Sequence, residues 1–383
     1  MSSAPPGFSE SEYAARLAAV RAAMRKVGLD ALLVTSPENI YYLSGYQSLG
    51  YLAFQALAVA LTGSPALLIR ELERANAESS SIFPGILCYR DQDDPILLAA
   101  KLLGSAKAVG LERRSRCVTW TQMKALEAAL PRAELGDSFG IVEERRLRKS
   151  QAELDCIRAA GRMADQGMHA ALNAIRQSRT EAAVAAEAYR ALIDAGSEWT
   201  GTPPFVSSGP RSSHAHATWT QRAMGRGEPV FLEVNAALRR YHAVVMRSAC
   251  LVPVPDRYRS MFAAAKGGVE AAMGALRPGV PACDVDRGCR SAIEQAGWGE
   301  QFRLRSGYSV GIVFENFGEG AIFSLHAGNR APIEAGMVLH IVAYLAELQS
   351  AGCACSETVI VHPDGIELVG SLPRTLVEVA DGN

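Results

Sequence analysis

The side chains of this 383-residue chain that could move protons at ordinary pH are few, and they fall into recognisable surroundings. His214 and His216, two residues apart, precede the turn Gly225–Glu228. Glu233 opens a stretch running to Ser248 that reads as a strand, a polar turn and a returning strand. Glu357 lies in a later apolar segment with strand character. Hydrolysis of an amide, amidine or related C–N bond needs a base to activate water, an acid for the departing nitrogen, and a stabiliser for the tetrahedral intermediate. A histidine suits the proton shuttle because its ordinary pKa, about 6.5, lies near working pH. A carboxylate can hold a cation or orient the histidine. If two carboxylates are buried close together, one of them rises in pKa and becomes an acid. Glu233 and Glu357 are expected on neighbouring strands of one sheet, and His214 is expected on the same face as His216 if that segment is extended. Tyr308, His242, His326 and His340 complete the polar candidates. An H-x-H metal site lacks a carboxylate cluster to finish it.

The elements that must position these groups divide into two patterns. Residues 10–27 place apolar side chains at helical spacing, and Gly28 ends that helix. Short apolar strands are predicted at 31–34, 57–61, 66–69, 86–89 and 108–111, interleaved with helices near 72–81, 93–103 and 119–130. That alternation is an α/β pattern. Ser150 with Glu153 forms a capping box that opens a second region. Helices are predicted at 151–176, 180–195, 256–275 and 282–296. Strands are predicted at 229–235, 242–252, 337–346, 356–361 and 366–369. Helices mixed with hairpins, without regular alternation, argue for an α+β domain. The boundaries expected are 1–145 and 146–383.

Composition narrows the function classes. A chain of this length favours two domains. Formal net charge is −1 and 49% of residues are hydrophobic. Neither nucleic acid nor an anionic membrane is an expected partner. No apolar run is long enough for a bilayer, and the N-terminus lacks a secretory pattern, so a cytoplasmic location is expected. Eight scattered cysteines are expected as reduced thiols, with Cys353 and Cys355 on alternate sheet faces. Gly307–Gly311 lacks the context of a phosphate loop.

The segment Glu233–Ser248 resembles the metal-binding hairpin of the creatinase, prolidase and aminopeptidase P family (peptidase family M24), and the similarity runs from about residue 12 to 372. In its metallopeptidases five side chains hold two divalent cations. The matching positions here are Glu233, Val244, Tyr308, Val342 and Ser356. Four of the five are thus non-ligating or weakly ligating, and no metal or other cofactor is expected. The resemblance implies an α/β N-terminal domain and a pita-bread α+β catalytic domain.

Glu233, the run Arg240-Tyr241-His242, Ser356-Glu357-Thr358 and the loop Asn39–Gln55 are similar to ectoine hydrolase-like members, which add water to the C=N carbon of a cyclic amidine. Creatinase fits less well, since its substrate-holding glutamates correspond to Met246 and Val342. The resemblance implies a metal-independent hydrolase of a small C–N compound: a cyclic amidine, or an N-acyl or guanidino amino acid. Its catalytic residues would be His216 as proton shuttle with Glu233 and Glu357. Its substrate-binding residues would be Tyr46, Phe54, His242, Tyr308 and His340. A homodimer is implied, with the Tyr46 loop near the partner's active site. The segment Phe314–Gly320 is a lid candidate that departs from the ectoine hydrolase loop. Two alternatives stay open: a non-hydrolytic cyclase, lyase or isomerase, and a peptidase homologue used for binding.

Overall fold

The computed structural model describes residues 7–315 and 318–380. The chain separates after Arg146 into two compact units. Unit one carries a six-stranded mixed sheet in the order β4-β3-β2-β1-β5-β6. Its strands are β1 (Ala31–Val34), β2 (Ala56–Ala60), β3 (Ala66–Arg70), β4 (Gly85–Tyr89), β5 (Ala108–Leu111) and β6 (Glu134–Asp137). Helices α1 (Glu10–Lys26), α2 (Pro37–Ser44), α3 (Arg74–Ser80), α4 (Pro95–Leu103) and α5 (Trp120–Ala129) connect them, and α6 (Glu143–Leu147) ends the unit. Gly28 follows α1 at φ +74°, the left-handed conformation expected of a helix stop. α2 lies outside the predicted helices; Pro37 stands in its first turn, where a missing N–H is compatible with helix entry.

Unit two is built from two long antiparallel hairpins with helices packed on them. β8 (Pro229–Leu238) and β9 (Tyr241–Leu251) pair, flanked by β7 (Phe205–Ser208) and β15 (Val377–Val379). β12 (Val338–Glu347) and β13 (Ala351–His362) pair, with β10 (Gly307–Ser309), β11 (Ser324–Leu325) and β14 (Gly365–Leu368) completing their sheet. The β8–β9 turn places Arg239 and Arg240 at φ +50° and +61°. Positive φ at both central residues matches a two-residue hairpin turn to the strand twist. Helices α7 (Gln151–Ala174), α8 (Glu181–Asp194), α9 (Asp256–Ala275) and α10 (Ala282–Gln295) supply the apolar cover. The capping box at Ser150 and Glu153 opens α7 with both hydrogen bonds made.

A large core lies between α9, α10 and one face of β12–β13, and contains Met261, Val285, Ile341, Ala343, Cys353 and Cys355. The two cysteines share a face, contrary to the sequence reading, because residues two apart on a strand point the same way. Both are buried and carry free thiols.

The two sheets meet along β9 and β13, where hydroxyl side chains take the place of a backbone ladder. The Met246 N–H donates to Ser356 Oγ at 2.7 Å, and Val244 N–H to Thr358 Oγ1 at 3.1 Å. Thr358 returns a bond to the Val244 carbonyl, while Ser248 bridges to both backbone groups of Ala354.

Gly352, near the start of β13, shows how close this packing is. A Cβ there would stand 2.1 Å from the Ser212 carbonyl oxygen. Gly352→Ala is therefore expected to lower the thermal midpoint by about 3–10 °C, from an overpacking cost of roughly 1–3 kcal/mol. A melt indistinguishable from the parent chain would contradict this packing.

Candidate functional site

Strand alternation collects the site. On β8, Phe231 and Glu233 share one face, and Glu233 stands opposite Met246 of β9. On β12, His340, Val342 and Tyr344 share a face, and His340 stands opposite Tyr308 of β10. These faces bound a cavity of about 200 Å³, lined by Phe231, Met246, Leu304, Val342 and Tyr344 with four polar side chains, His216, Glu233, Arg305 and Tyr308. Pockets for drug-sized ligands run from roughly 300 Å³ upward, so this space suits a smaller molecule.

Glu233 is the centre of the electrostatics. It is 1% exposed, and its Oε1 has no hydrogen-bond partner among the described residues. Burial alone pushes its carboxyl up to about 8, so the acid form prevails at neutral pH. His216, though exposed on one side, is shifted the other way: partial burial, then the Arg305 charge, lowers its imidazole below the usual value. A protonated carboxyl and a neutral imidazole therefore face one cavity, the pairing expected of an acid and a base. Tyr308 is buried beside them. Burial first, and the nearby Glu233 second, raise its phenol.

What holds His216 is a loop anchored by an acid that sequence reasoning passed over. Glu181, in the first turn of α8, is fully buried and accepts from Ser208 N at 2.8 Å, Ser208 Oγ at 2.9 Å, Thr220 N at 2.9 Å and Thr220 Oγ1 at 2.8 Å. Arg211 pairs with the same carboxylate. Ser212 is fastened to the β12–β13 hairpin through Tyr344 Oη and Gly352 N. Between these anchors His216 takes φ +61°, a conformation uncommon outside glycine and asparagine. The segment is thus not extended, and His214 is exposed and absent from the cavity lining. The shared face expected for the two histidines does not form.

The other expected residues separate. Glu357 points to the opposite face of its strand from Ser356 and is taken up by Arg247 at 2.8 Å and Arg374 at 3.2 Å. β8 and β13 belong to different sheets, which meet where β9 lies against β13, so Glu233 and Glu357 are not on adjacent strands, and the shift at Glu233 owes nothing to a second carboxylate. His242 is buried off the cavity lining with both ring nitrogens engaged, Nδ1 with the Arg240 carbonyl at 2.8 Å and Nε2 with Gly201 N–H at 3.2 Å. These partners assign the proton to Nδ1, and burial holds the imidazole down at about 3. His340 is buried behind the wall, edge-on to Tyr308 at 5.1 Å, and neither ring nitrogen has a partner among the described residues. His326 is exposed. Tyr46 and Phe54 are buried in unit one, where Phe54 belongs to the core and its carbonyl accepts from Tyr89 Oη. Of the lid candidate, Asn316 and Phe317 lie outside the described residues.

The donor set does not fit a pair of divalent cations. Val244, Val342, Tyr308 and Ser356 stand where carboxylates or imidazole would be needed, and Ser356 is committed to Met246 N. Among the described residues no group of three or more His, Cys, Asp or Glu is placed to hold a metal ion. The Arg305 guanidinium lining the same cavity would oppose a cation further.

The state of Glu233 can be read from stability. The folded chain holds a proton on Glu233 between about pH 4.5 and 8 that the unfolded chain releases. Stability from this group therefore falls as pH rises through that window, by at most about 1.4 kcal/mol per pH unit. Glu233→Gln removes the dependence, so its unfolding free energy relative to the parent chain is expected to climb between pH 5 and 8 in denaturant titrations. Parallel curves would mean that Glu233 is ionised in the native state.

Among the described residues, no helix is long and apolar enough to cross a membrane. The curated relatives include the ectoine hydrolase of Halomonas elongata, 25% identical over 96% of this chain and 98% of the relative. A probable dipeptidase PepE of Mycobacterium tuberculosis is 28% identical over 97% of this chain and 98% of its own length. Among solved structures, dipeptidase PepE from Mycobacterium ulcerans superposes with a TM-score of 0.85 at 26% identity, covering 97% of this chain and 99% of its own. The prolidase of Pyrococcus horikoshii OT3 superposes with 0.84 at 21% identity, covering 95% and 100%, which shows the shared fold. Residues 16–148 match the creatinase/prolidase N-terminal domain and residues 155–363 match metallopeptidase family M24. The chain belongs to metallopeptidase family M24, with a creatinase-type N-terminal domain before a pita-bread catalytic domain.

Proposed function

We propose that this chain is a metal-independent hydrolase of a small C–N compound, a cyclic amidine or an N-acyl or guanidino amino acid. The observation that carries the reading is one small cavity that brings the His216 imidazole together with the buried Glu233 carboxyl, whose Oε1 has no partner among the described residues. Burial raises the carboxyl to about 8, and the imidazole lies below its usual value. In this reading His216 takes a proton from water as the oxygen adds to the C–N carbon. Glu233 then supplies its proton to the nitrogen as that bond breaks, and Tyr308 shapes the wall against which the substrate lies. The apolar remainder of the lining keeps Glu233 and Tyr308 from bulk water, which strengthens their contacts with a substrate. A protein whose relatives include both an ectoine hydrolase and dipeptidases supports hydrolysis as the class. The altered ligand positions favour a metal-free reaction within that class.

Turnover of the true substrate should follow a bell in pH. The acid limb should lie below about 6.5 as His216 loses its proton, and the alkaline limb near 8 as Glu233 does. His216→Ala is expected to cost about 10²–10⁴ in kcat with an unchanged melt, because an acid–base catalyst contributes on that order. Dialysis against a chelator should leave activity intact. Activity lost to the chelator and recovered with a divalent transition metal would remove the metal-free reading and favour a dipeptidase.

A further inference from the structure

One cavity side chain takes no part in that proton chemistry. Among the described residues, Arg305 is the only lysine or arginine lining the cavity, and with Glu233 protonated the net charge of those that line it is positive. Its Nη1 donates to the Gly320 carbonyl at 2.9 Å and to Ser324 Oγ at 2.6 Å. Its guanidinium also lies over the Tyr308 ring, 4.5 Å from the centroid. These contacts fix the plane of the group and use only one of its nitrogens. Among the described residues, the edge formed by Nε and Nη2 has no hydrogen-bond partner and no carboxylate pairs with it. Partial burial lowers its pKa from the usual arginine value. A half-buried guanidinium without a counter-charge is costly unless something else supplies one.

The free edge is the one that receives a carboxylate side-on through two parallel hydrogen bonds. This chain uses the same edge elsewhere. Arg70 holds Asp91 through Nε and Nη2, both at 2.7 Å, and Arg158 holds Glu367 in the same way, also at 2.7 Å. A single guanidinium in a cavity of about 200 Å³ balances one negative charge, which fits a monocarboxylate better than a phosphate dianion.

We propose that Arg305 is the specificity-determining residue of this site and admits only substrates that carry a carboxylate, received on its Nε and Nη2 edge. The inference rests on the reading of this cavity as the substrate site and narrows the substrate to a small amino-acid-like anion. In that pose the C–N bond to be cut would face Glu233, whose shift comes from burial alone, with His216 within reach of the Arg305 charge.

The test compares probes that differ by the carboxylate alone: ectoine against 2-methyl-1,4,5,6-tetrahydropyrimidine, N-acetyl-β-alanine against N-ethylacetamide, and guanidinoacetate against methylguanidine. Dissociation constants are measured by calorimetry on the parent chain and on Arg305→Met and Arg305→Lys. In at least one pair the carboxylate member should bind the parent chain about 10- to 100-fold more tightly, the range of a charge-assisted hydrogen-bonded pair. Arg305→Met should abolish that preference and Arg305→Lys should restore part of it. The comparison on the parent chain holds even if a variant misfolds, which circular dichroism would reveal. Equal binding within all three pairs, no binding by any probe, or a preference that survives Arg305→Met would overturn the assignment. Release of the amine product is followed separately. A carboxylate preference without hydrolysis leaves Arg305 in place and removes the hydrolase reading, while hydrolysis without the preference does the reverse.

Discussion

The seam between β9 and β13 is the constraint on which the site depends. Two antiparallel hairpins, each with its own register, must present Glu233, Met246, Val342 and Tyr344 to one small cavity, beside Tyr308 of the neighbouring β10. Ser248, Ser356 and Thr358 hold the hairpins together by offering hydroxyls to backbone groups that would otherwise be buried without partners. An unpaired backbone group in such a place costs as much as a lost hydrogen bond. On the reverse face Arg247 ties the same strands through the Ser356 carbonyl and the Glu357 carboxylate. Glu357 is therefore consumed by architecture, and its ion pairs keep a buried arginine satisfied.

Against this fully paired seam, the cavity is a place where polar groups are left wanting. Among the described residues Glu233 Oε1 has no partner and the Nε and Nη2 edge of Arg305 has none, while behind the wall both nitrogens of His340 also lack one. His216 is held at positive φ by a loop pinned to Glu181 and to the β12–β13 hairpin. Unsatisfied groups and backbone strain in one small volume are destabilising, and they persist where the surrounding fold over-determines them.

Replacement of ligand positions by Val244 and Val342 changes the chemistry open to the cavity. A carboxylate near divalent cations stays ionised, whereas the same side chain among Phe231, Met246 and Val342 is stripped of water and keeps its proton. Val342 thus does two things: it offers no lone pair to a cation, and it helps to keep the Glu233 carboxyl dry and protonated. Tyr308 extends the effect by filling space with an aromatic ring against His340.

Much of this was legible in the residues. Helical periodicity and caps located α1, α7, α8, α9 and α10 to within a residue or two, because those signals are local. Apolar runs marked both long hairpins for the same reason. Strands as short as β10, β11 and β15 left no periodic trace, since two or three residues cannot express one. His216, Glu233 and Tyr308 could be named from the resemblance alone, but their meeting in one cavity could not. Glu357 and His242 looked equally eligible as a sequence and differ only in which strand face they occupy and in who already holds them. Arg305 and Glu181 went unnoticed because neither occupies a ligand position; an arginine three residues before Tyr308 was the available hint. The sequence by itself determined the types of group present and the local elements that carry them. Only the tertiary structure decided which groups stay unpaired and dry, because burial and pairing are properties of strands brought together from across the chain.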